Sequence, residues 1–92
     1  MTSTRTVNTI LRTLGLSAEL VRGDGYHYFV GTDVPNQSHS EMVHRTSDFT
    51  AAEWVDMLLV AMAEYPKYET EAERLHALAA AARTTLAAKV SA

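Results

Sequence analysis

The chain has 92 residues, a net charge of -3 and no cysteine. This length suits a single domain, and the lack of cysteine excludes disulfides, thiolate zinc sites and thiol nucleophiles. The sequence contains no run of about eighteen apolar residues, the minimum for a membrane helix. Its first residues lead into an amphipathic pattern rather than a signal peptide. We therefore expect a cytoplasmic protein without a membrane partner.

Acidic residues are concentrated in the central part of the chain. Residues 46–73 contain seven Asp or Glu residues and one lysine, whereas residues 1–45 are balanced and residues 74–92 carry three basic residues. Because phosphate contacts require clustered Lys and Arg side chains, this distribution disfavours nucleic-acid binding. The acidic block either contacts a basic protein surface or forms a solvated helix face whose acids favour the helix N-terminus.

Residues 3–14 are predicted to form the first helix. Its apolar residues recur at the spacing of one helical face. They are Val7, Ile10, Leu11 and Leu14. A serine or threonine among residues 3–6 is expected to cap the start. Gly15 is placed as the glycine that follows a helix, with Leu16 making the accompanying apolar contact.

A three-stranded antiparallel meander is predicted over residues 18–45. Segments 18–22 and 26–30 are rich in β-branched and aromatic residues. Gly23-Asp24-Gly25 between them supplies the positive φ angles of a hairpin turn. A loop then leads to a third strand at residues 40–45.

The second strand is expected to be the central one, because neither of its faces is clearly polar. Side chains alternate between the faces, which places Tyr28 on one and His27 with Phe29 on the other. We expect Tyr28 to lie in the core. The histidines near the sheet are expected at the surface or in hydrogen bonds.

The most specific stretch of the sequence is the start of the second helix, predicted over residues 50–64. Thr50 and Glu53 have the spacing of a capping box, and Phe49 and Trp54 have that of a hydrophobic staple. A broad apolar stripe follows, so we expect this helix to be the buried one. The stripe contains Trp54, Val55, Leu58, Leu59 and Met62, and is widened by Met57 and Val60.

The third helix is predicted over residues 70–89, with Thr70 and Glu73 at capping-box spacing. Its apolar stripe is narrow and rich in alanine. One small sheet is expected to leave part of that stripe uncovered, which favours a homodimer through this C-terminal helix. The predicted fold is α+β in the order αβββαα, with a three-stranded antiparallel sheet packed against helices on one face.

No pattern in the sequence indicates catalysis or a bound metal. There is no nucleophile elbow and no phosphate loop. His39-x-Glu41-x-x-His44 matches no metal motif, and on a strand His44 would point away from the other two side chains. We therefore expect a protein that is not an enzyme and that has no catalytic residues, cofactor or metal.

The expected binding residues are acidic and aromatic. Tyrosines offer amphipathic contact surface of the kind enriched at protein interfaces, and the acids come from the central block. The predicted partner-binding residues are Asp48, Glu53, Asp56, Glu64, Tyr65, Tyr68 and Tyr26.

Three segments carry a resemblance to a known group of proteins. They are Arg22-Gly23-x-Gly25-Tyr26-x-Tyr28-Phe29, a strand around Met42-Val43, and Asp48-Phe49-Thr50-x-x-Glu53-Trp54. Together they resemble short, mostly uncharacterised accessory proteins of bacterial phages and mobile elements, from which this chain departs by a longer loop and by His44. The resemblance implies an accessory role in the cytoplasm of a bacterial host. It also implies, by analogy, inhibition of a host defence system such as CRISPR–Cas.

Three functions are consistent with the sequence. The first is a non-catalytic protein that binds a host or phage protein. The second is a homodimer whose sheet cleft binds a small ligand through His27, His44 and Arg22. The third is a nucleic-acid-binding regulator, which the charge distribution disfavours.

Overall fold

The computed structural model describes residues 2–35 and 45–91, with side chains through residue 88. It has the predicted α+β class. Its elements are α1 (Thr4–Thr13), β1 (Glu19–Arg22), β2 (His27–Val30), a 3-10 helix (Thr46–Asp48), α2 (Ala51–Ala63) and α3 (Ala72–Ser91). None of the helices in these ranges is long and apolar enough to cross a membrane.

In the part of the chain that the structure describes, the sheet has two strands, not the predicted three. β1 and β2 pair antiparallel, from Glu19 opposite Val30 to Arg22 opposite His27. The predicted third strand at residues 40–45 lies outside the described residues except for Arg45. This residue has an extended backbone and precedes the 3-10 helix without belonging to a strand. The predicted central position of β2 is therefore not shown.

The turn between the strands uses one positive φ angle. Gly25 has a φ of 80°, and Asp24 is not in the left-handed region. The peptide N–H of Gly23 donates to the carbonyl of Tyr26 at 2.8 Å, which continues the ladder beyond the last strand pair. Because a type I′ turn needs positive φ at both central residues, Asp24 excludes that type here.

Both ends of α1 are closed as the sequence predicts. The Ser3 side chain accepts a hydrogen bond from the Thr6 N–H at 3.2 Å. At the other end, Gly15 has a φ of 78°, and Leu16 N–H donates to the carbonyl of Leu11 at 3.1 Å. This pairing is a Schellman ending, in which glycine takes the left-handed position without steric cost.

The start of α2 contains the predicted capping box and staple. The Thr50 hydroxyl accepts from Glu53 N–H at 3.1 Å, and the Glu53 carboxylate accepts from Thr50 N–H at 2.9 Å. The Phe49 ring meets the Trp54 ring edge-on with centroids 5.0 Å apart. The Trp54 indole N–H also donates to the Thr46 carbonyl at 2.7 Å. The indole thus fixes the chain before the helix as well as the helix itself.

α2 is the buried helix, as its broad apolar stripe predicts, and α3 packs antiparallel against it. Two contacts show this direction: Arg83 lies beside Asp56 in the first half of α2, and the earlier residue His76 contacts Tyr65 after the end of α2. Small residues on α3 allow the close approach. The buried residues of the two helices are Trp54, Val55, Leu58, Leu59, Met62, Ala72, Leu75, Ala79 and Ala82.

The start of α3 differs from the prediction. The helix begins at Ala72, after a turn in which Ala72 N–H donates to the carbonyl of Glu69. The predicted capping box of Thr70 and Glu73 is therefore wrong, because Thr70 lies within that turn. In its place the Arg74 guanidinium contacts Glu71 and the buried carboxylate of Asp33, which also accepts from Ser17 N–H at 2.7 Å. This network joins α3 to the loops around the sheet.

The capping box at the start of α2 gives a direct test of local stability. Thr50→Ala should lower the free energy of unfolding by about 1 kcal/mol, because the Glu53 N–H loses its acceptor. Thr84→Ala is the matched control, since Thr84 is exposed in the middle of α3 and alanine is the better helix former. Urea denaturation of the two variants measures the difference. Equal stability in both would contradict a role for the Thr50 cap.

The indole hydrogen bond can be separated from the volume of the indole ring. Trp54→Phe keeps an aromatic ring but leaves the Thr46 carbonyl without its donor, so we expect a loss of about 1–3 kcal/mol. Trp54→Ala also opens a cavity and should cost about 3–5 kcal/mol. Chemical denaturation checks both values. A phenylalanine variant as stable as the wild type would show that the hydrogen bond contributes little.

Candidate functional site

A largely apolar groove lies between the start of α2 and the second half of α3. Its volume is about 570 Å³. Its floor consists of Phe49, Ala52, Met57, Leu86 and Ala87, and its rim of Glu53, Asp56 and Arg83. The combination of an apolar floor with a few charged groups at the edge is typical of recognition sites.

The groove results from small side chains at the open end of the helix pair. Ala52 on α2 and Ala87 on α3 line it, and neither can fill the space between the two helices. Phe49 closes one side because its ring is held against Trp54. Since the groove is bounded by the capped end of the buried helix, its shape is set by the same contacts that stabilise the fold.

The charged side chains of the rim make few contacts within the fold. One carboxylate oxygen of Glu53 accepts a hydrogen bond from the Thr50 N–H. Asp56 lies 3.6 Å from Arg83, and both side chains are about half exposed. An ion pair of this length and exposure contributes little to stability, so its groups remain available to a partner.

The structure brings together only part of the predicted binding set. Glu53 and Asp56 lie on the groove rim. Asp48 is exposed nearby and accepts from the Arg45 N–H at 3.2 Å. Glu64, at the opposite end of α2, is exposed. The predicted acids therefore do not form one continuous surface.

The tyrosines are also dispersed. Tyr65 is only 9% exposed, and its carbonyl accepts a hydrogen bond from the His76 ring at 2.7 Å. Tyr68 is 86% exposed in the turn before α3. Tyr26 stacks on Tyr28 with ring centroids 5.6 Å apart. The expectation that Tyr28 lies in the core is wrong, because it is half-buried on the outer face of the sheet while His27 and Phe29 face inward.

Sequence reasoning missed most of the groove floor. Met57 is predicted only as part of the widened stripe of α2, and no site role is predicted for Leu86, an apolar residue of α3. Both side chains are half-buried beside the core rather than inside it. An apolar residue at the edge of each stripe is the only sequence pattern that could have indicated this groove. Whether two such residues come into contact depends on the packing angle of the two helices, which the sequence does not give.

His27 is a buried structural residue. Its side chain is 1% exposed, its Nε2 atom lies 3.1 Å from the Thr46 hydroxyl, and its ring centroid is 5.0 Å from that of Trp54. Its Nδ1 atom has no hydrogen-bond partner among the described residues. A ligand in a sheet cleft therefore cannot contact His27 directly. Arg22 is exposed, and His44 lies outside the described ranges.

No three His, Asp or Glu residues within the described ranges are arranged to hold a metal ion. His39, Glu41 and His44 are not among the described residues. Comparison of the chain with protein-family models, curated proteins and solved structures finds no match. Any proposed function must therefore rest on the structure of the chain itself.

The burial of His27 predicts a pH-dependent stability. Desolvation lowers the pKa of His27, Arg22 lowers it further, and Asp48 opposes the shift. As the pH falls through about 6.5, the ordinary histidine pKa, the unfolded chain therefore binds a proton that the folded chain does not. The free energy of unfolding should decrease, with a slope of at most about 1.4 kcal/mol per pH unit for one proton.

Urea denaturation at several pH values between about 7.5 and 5.5 measures this slope. His27→Gln is the matched variant, because glutamine offers a donor to Thr46 and does not titrate in this range. We expect the variant to lose most of the pH dependence. An unchanged slope in the variant would assign the effect to other groups.

Proposed function

We propose that the protein is a non-catalytic binding protein that acts through the groove between α2 and α3. The observation that carries this proposal is the apolar floor, open to solvent and bordered by Glu53 and Asp56. An apolar floor beside a few charged groups is the usual composition of a binding site, so binding is the activity that this groove supports best.

The partner that fits this groove is a protein segment with an apolar side chain next to a lysine or arginine. The apolar side chain would occupy the space above Ala52 and Ala87, where burial contributes about 25 cal/mol per Å² of apolar surface. The cation would meet Glu53 or Asp56 at the rim. The acidic block of residues 46–73, with seven acids and one lysine, would attract such a segment at long range.

The phage resemblance of the sequence extends this proposal to a biological setting. In that setting the protein is an accessory protein of a phage or mobile element, and the partner is a host or phage protein in the bacterial cytoplasm. Inhibition of a host defence system such as CRISPR–Cas is the form of action that the resemblance implies. An acidic groove suits such a role, because proteins that handle nucleic acid present basic surfaces.

A displayed peptide library selected against the immobilised protein tests the groove. We expect enriched peptides to combine apolar residues with Lys or Arg. Ala87→Arg should abolish their binding, because it places a long charged side chain on the groove floor. Glu53→Gln should weaken binding several-fold while leaving the melting temperature unchanged, because glutamine preserves the capping box.

The matched control is Ala81→Arg, which makes the same change on the exposed opposite side of α3. It should bind the selected peptides as the wild type does. Peptides that bind Ala87→Arg and Ala81→Arg equally would place the binding surface elsewhere. A failure to enrich any peptide over an empty support would count against the proposal.

A second copy of the chain is the competing occupant of the groove. The rim carries Arg83 beside Asp56, and a surface with both signs of charge is self-complementary across a two-fold axis. Leu75, Ala79 and Ala82 of the α3 stripe are buried, so a dimer contact would use the groove rather than this part of the stripe. Sedimentation of wild type and Ala87→Arg at two concentrations separates these occupants, since only a groove-mediated dimer is lost in the variant.

A further inference from the structure

A second cleft lies between the start of α1, the end of β1 and the 3-10 helix. Its volume is about 410 Å³. Two arginines from separate segments, Arg22 and Arg45, line it together with hydroxyl groups. Among the described residues its lining contains no carboxylate, and the neighbouring acid Asp48 accepts a hydrogen bond from the Arg45 N–H. Cationic side chains therefore predominate in this cleft, whereas acidic ones predominate on the groove rim.

The strand register explains why Arg22 reaches this cleft. Arg22 pairs with His27 in the antiparallel ladder, and paired residues share one face of a sheet. His27 faces the core, so Arg22 lies on the same inner face, at the hairpin end where the core stops. Thr46, which is bonded to His27, brings the neighbouring Arg45 to the same place.

These two arginines lack ion-pair partners in the part of the chain that the structure describes. Arg74 pairs with Asp33 and Glu71, and Arg83 pairs with Asp56, but no such contact exists for Arg22 or Arg45. Two guanidinium groups beside one cleft favour a bound anion, and guanidinium groups bind phosphate oxygens in a bidentate manner.

Hydroxyl groups complete the lining of the cleft. Ser3, Thr46 and Ser47 line it, and the Ser3 and Thr46 hydroxyls also hydrogen-bond within the fold, to Thr6 and His27. Thr46 is held by His27 through its hydroxyl and by Trp54 through its carbonyl, so its position is set by buried groups. Hydroxyl donors beside guanidinium groups are the usual ligands of a phosphate group. α1 carries no acidic residue in its first turn, so its positive end adds to the same field.

We propose that this cleft binds the phosphate group of a small molecule. A small phosphate compound fits a single open cleft with two arginines, whereas a nucleic acid needs a continuous basic track. The acidic block that follows the cleft in the sequence would repel a long polyanion. The site is separate from the α2–α3 groove and shares no lining residue with it.

Titration with inorganic pyrophosphate tests this site, using amide shifts in ¹H–¹⁵N spectra at constant ionic strength. The expected result is saturable shifts centred on residues 3–4 and 45–47. Arg22→Gln and Arg45→Gln should each weaken binding about tenfold, the effect of one charged hydrogen bond. Arg22→Lys and Arg45→Lys keep the charge but lose the two parallel N–H donors of the guanidinium group. They should therefore bind more tightly than the glutamine variants and more weakly than the wild type.

Arg12→Gln is the matched control, because it removes the same charge at the far end of α1. Binding should be unchanged in that variant and in Ala87→Arg, which separates this proposal from that of the groove. Absence of saturable shifts, or equal weakening by Arg12→Gln, overturns the proposal. Tighter binding of a single-stranded oligonucleotide through Arg22 and Arg45 also overturns it, in favour of a nucleic-acid ligand.

Discussion

The Thr46 residue is the point on which the rest of the structure depends. Its carbonyl accepts from the Trp54 indole at 2.7 Å, and its hydroxyl lies 3.1 Å from the His27 ring. One residue thereby joins the sheet, the 3-10 helix and the buried helix α2. Because buried polar groups are costly unless they are paired, the indole, the imidazole and the Thr46 peptide must keep this arrangement together. The core packs around this corner, which consists of Thr46, His27 and Trp54.

The two candidate binding regions lie on either side of that corner. Phe49, held edge-on against Trp54, forms one wall of the acidic-rimmed groove. Thr46, held by the same indole, forms part of the arginine-lined cleft. Glu53 and Asp56 thus border one region, and Arg22 and Arg45 border the other. A loss of the indole would therefore disturb both regions at once, whereas surface substitutions can address each region alone.

Local features were predictable from the sequence because neighbouring residues form them. The capping box of Thr50 and Glu53, the staple of Phe49 and Trp54, and the helix ending at Gly15 all depend on spacings of a few residues. The inward face of β2 was not predictable, because neither Tyr28 nor Phe29 is polar enough to mark the solvent side. The convergence of Arg22 and Arg45 was not predictable either, because it depends on contacts between residues distant in the sequence, such as that of His27 with Thr46.

Acids of the central block already have structural roles, and these roles are compatible with the proposed binding. Glu53 caps α2 with one carboxylate oxygen, and a carboxylate has further acceptor positions for a partner. Asp48 likewise accepts from the Arg45 N–H while its side chain is exposed. An acid held by a backbone N–H is already ordered, so a bound cation would not have to supply the entropy of fixing its rotamer. Capping therefore pre-organises Glu53, the capping acid on the groove rim, for the proposed partner.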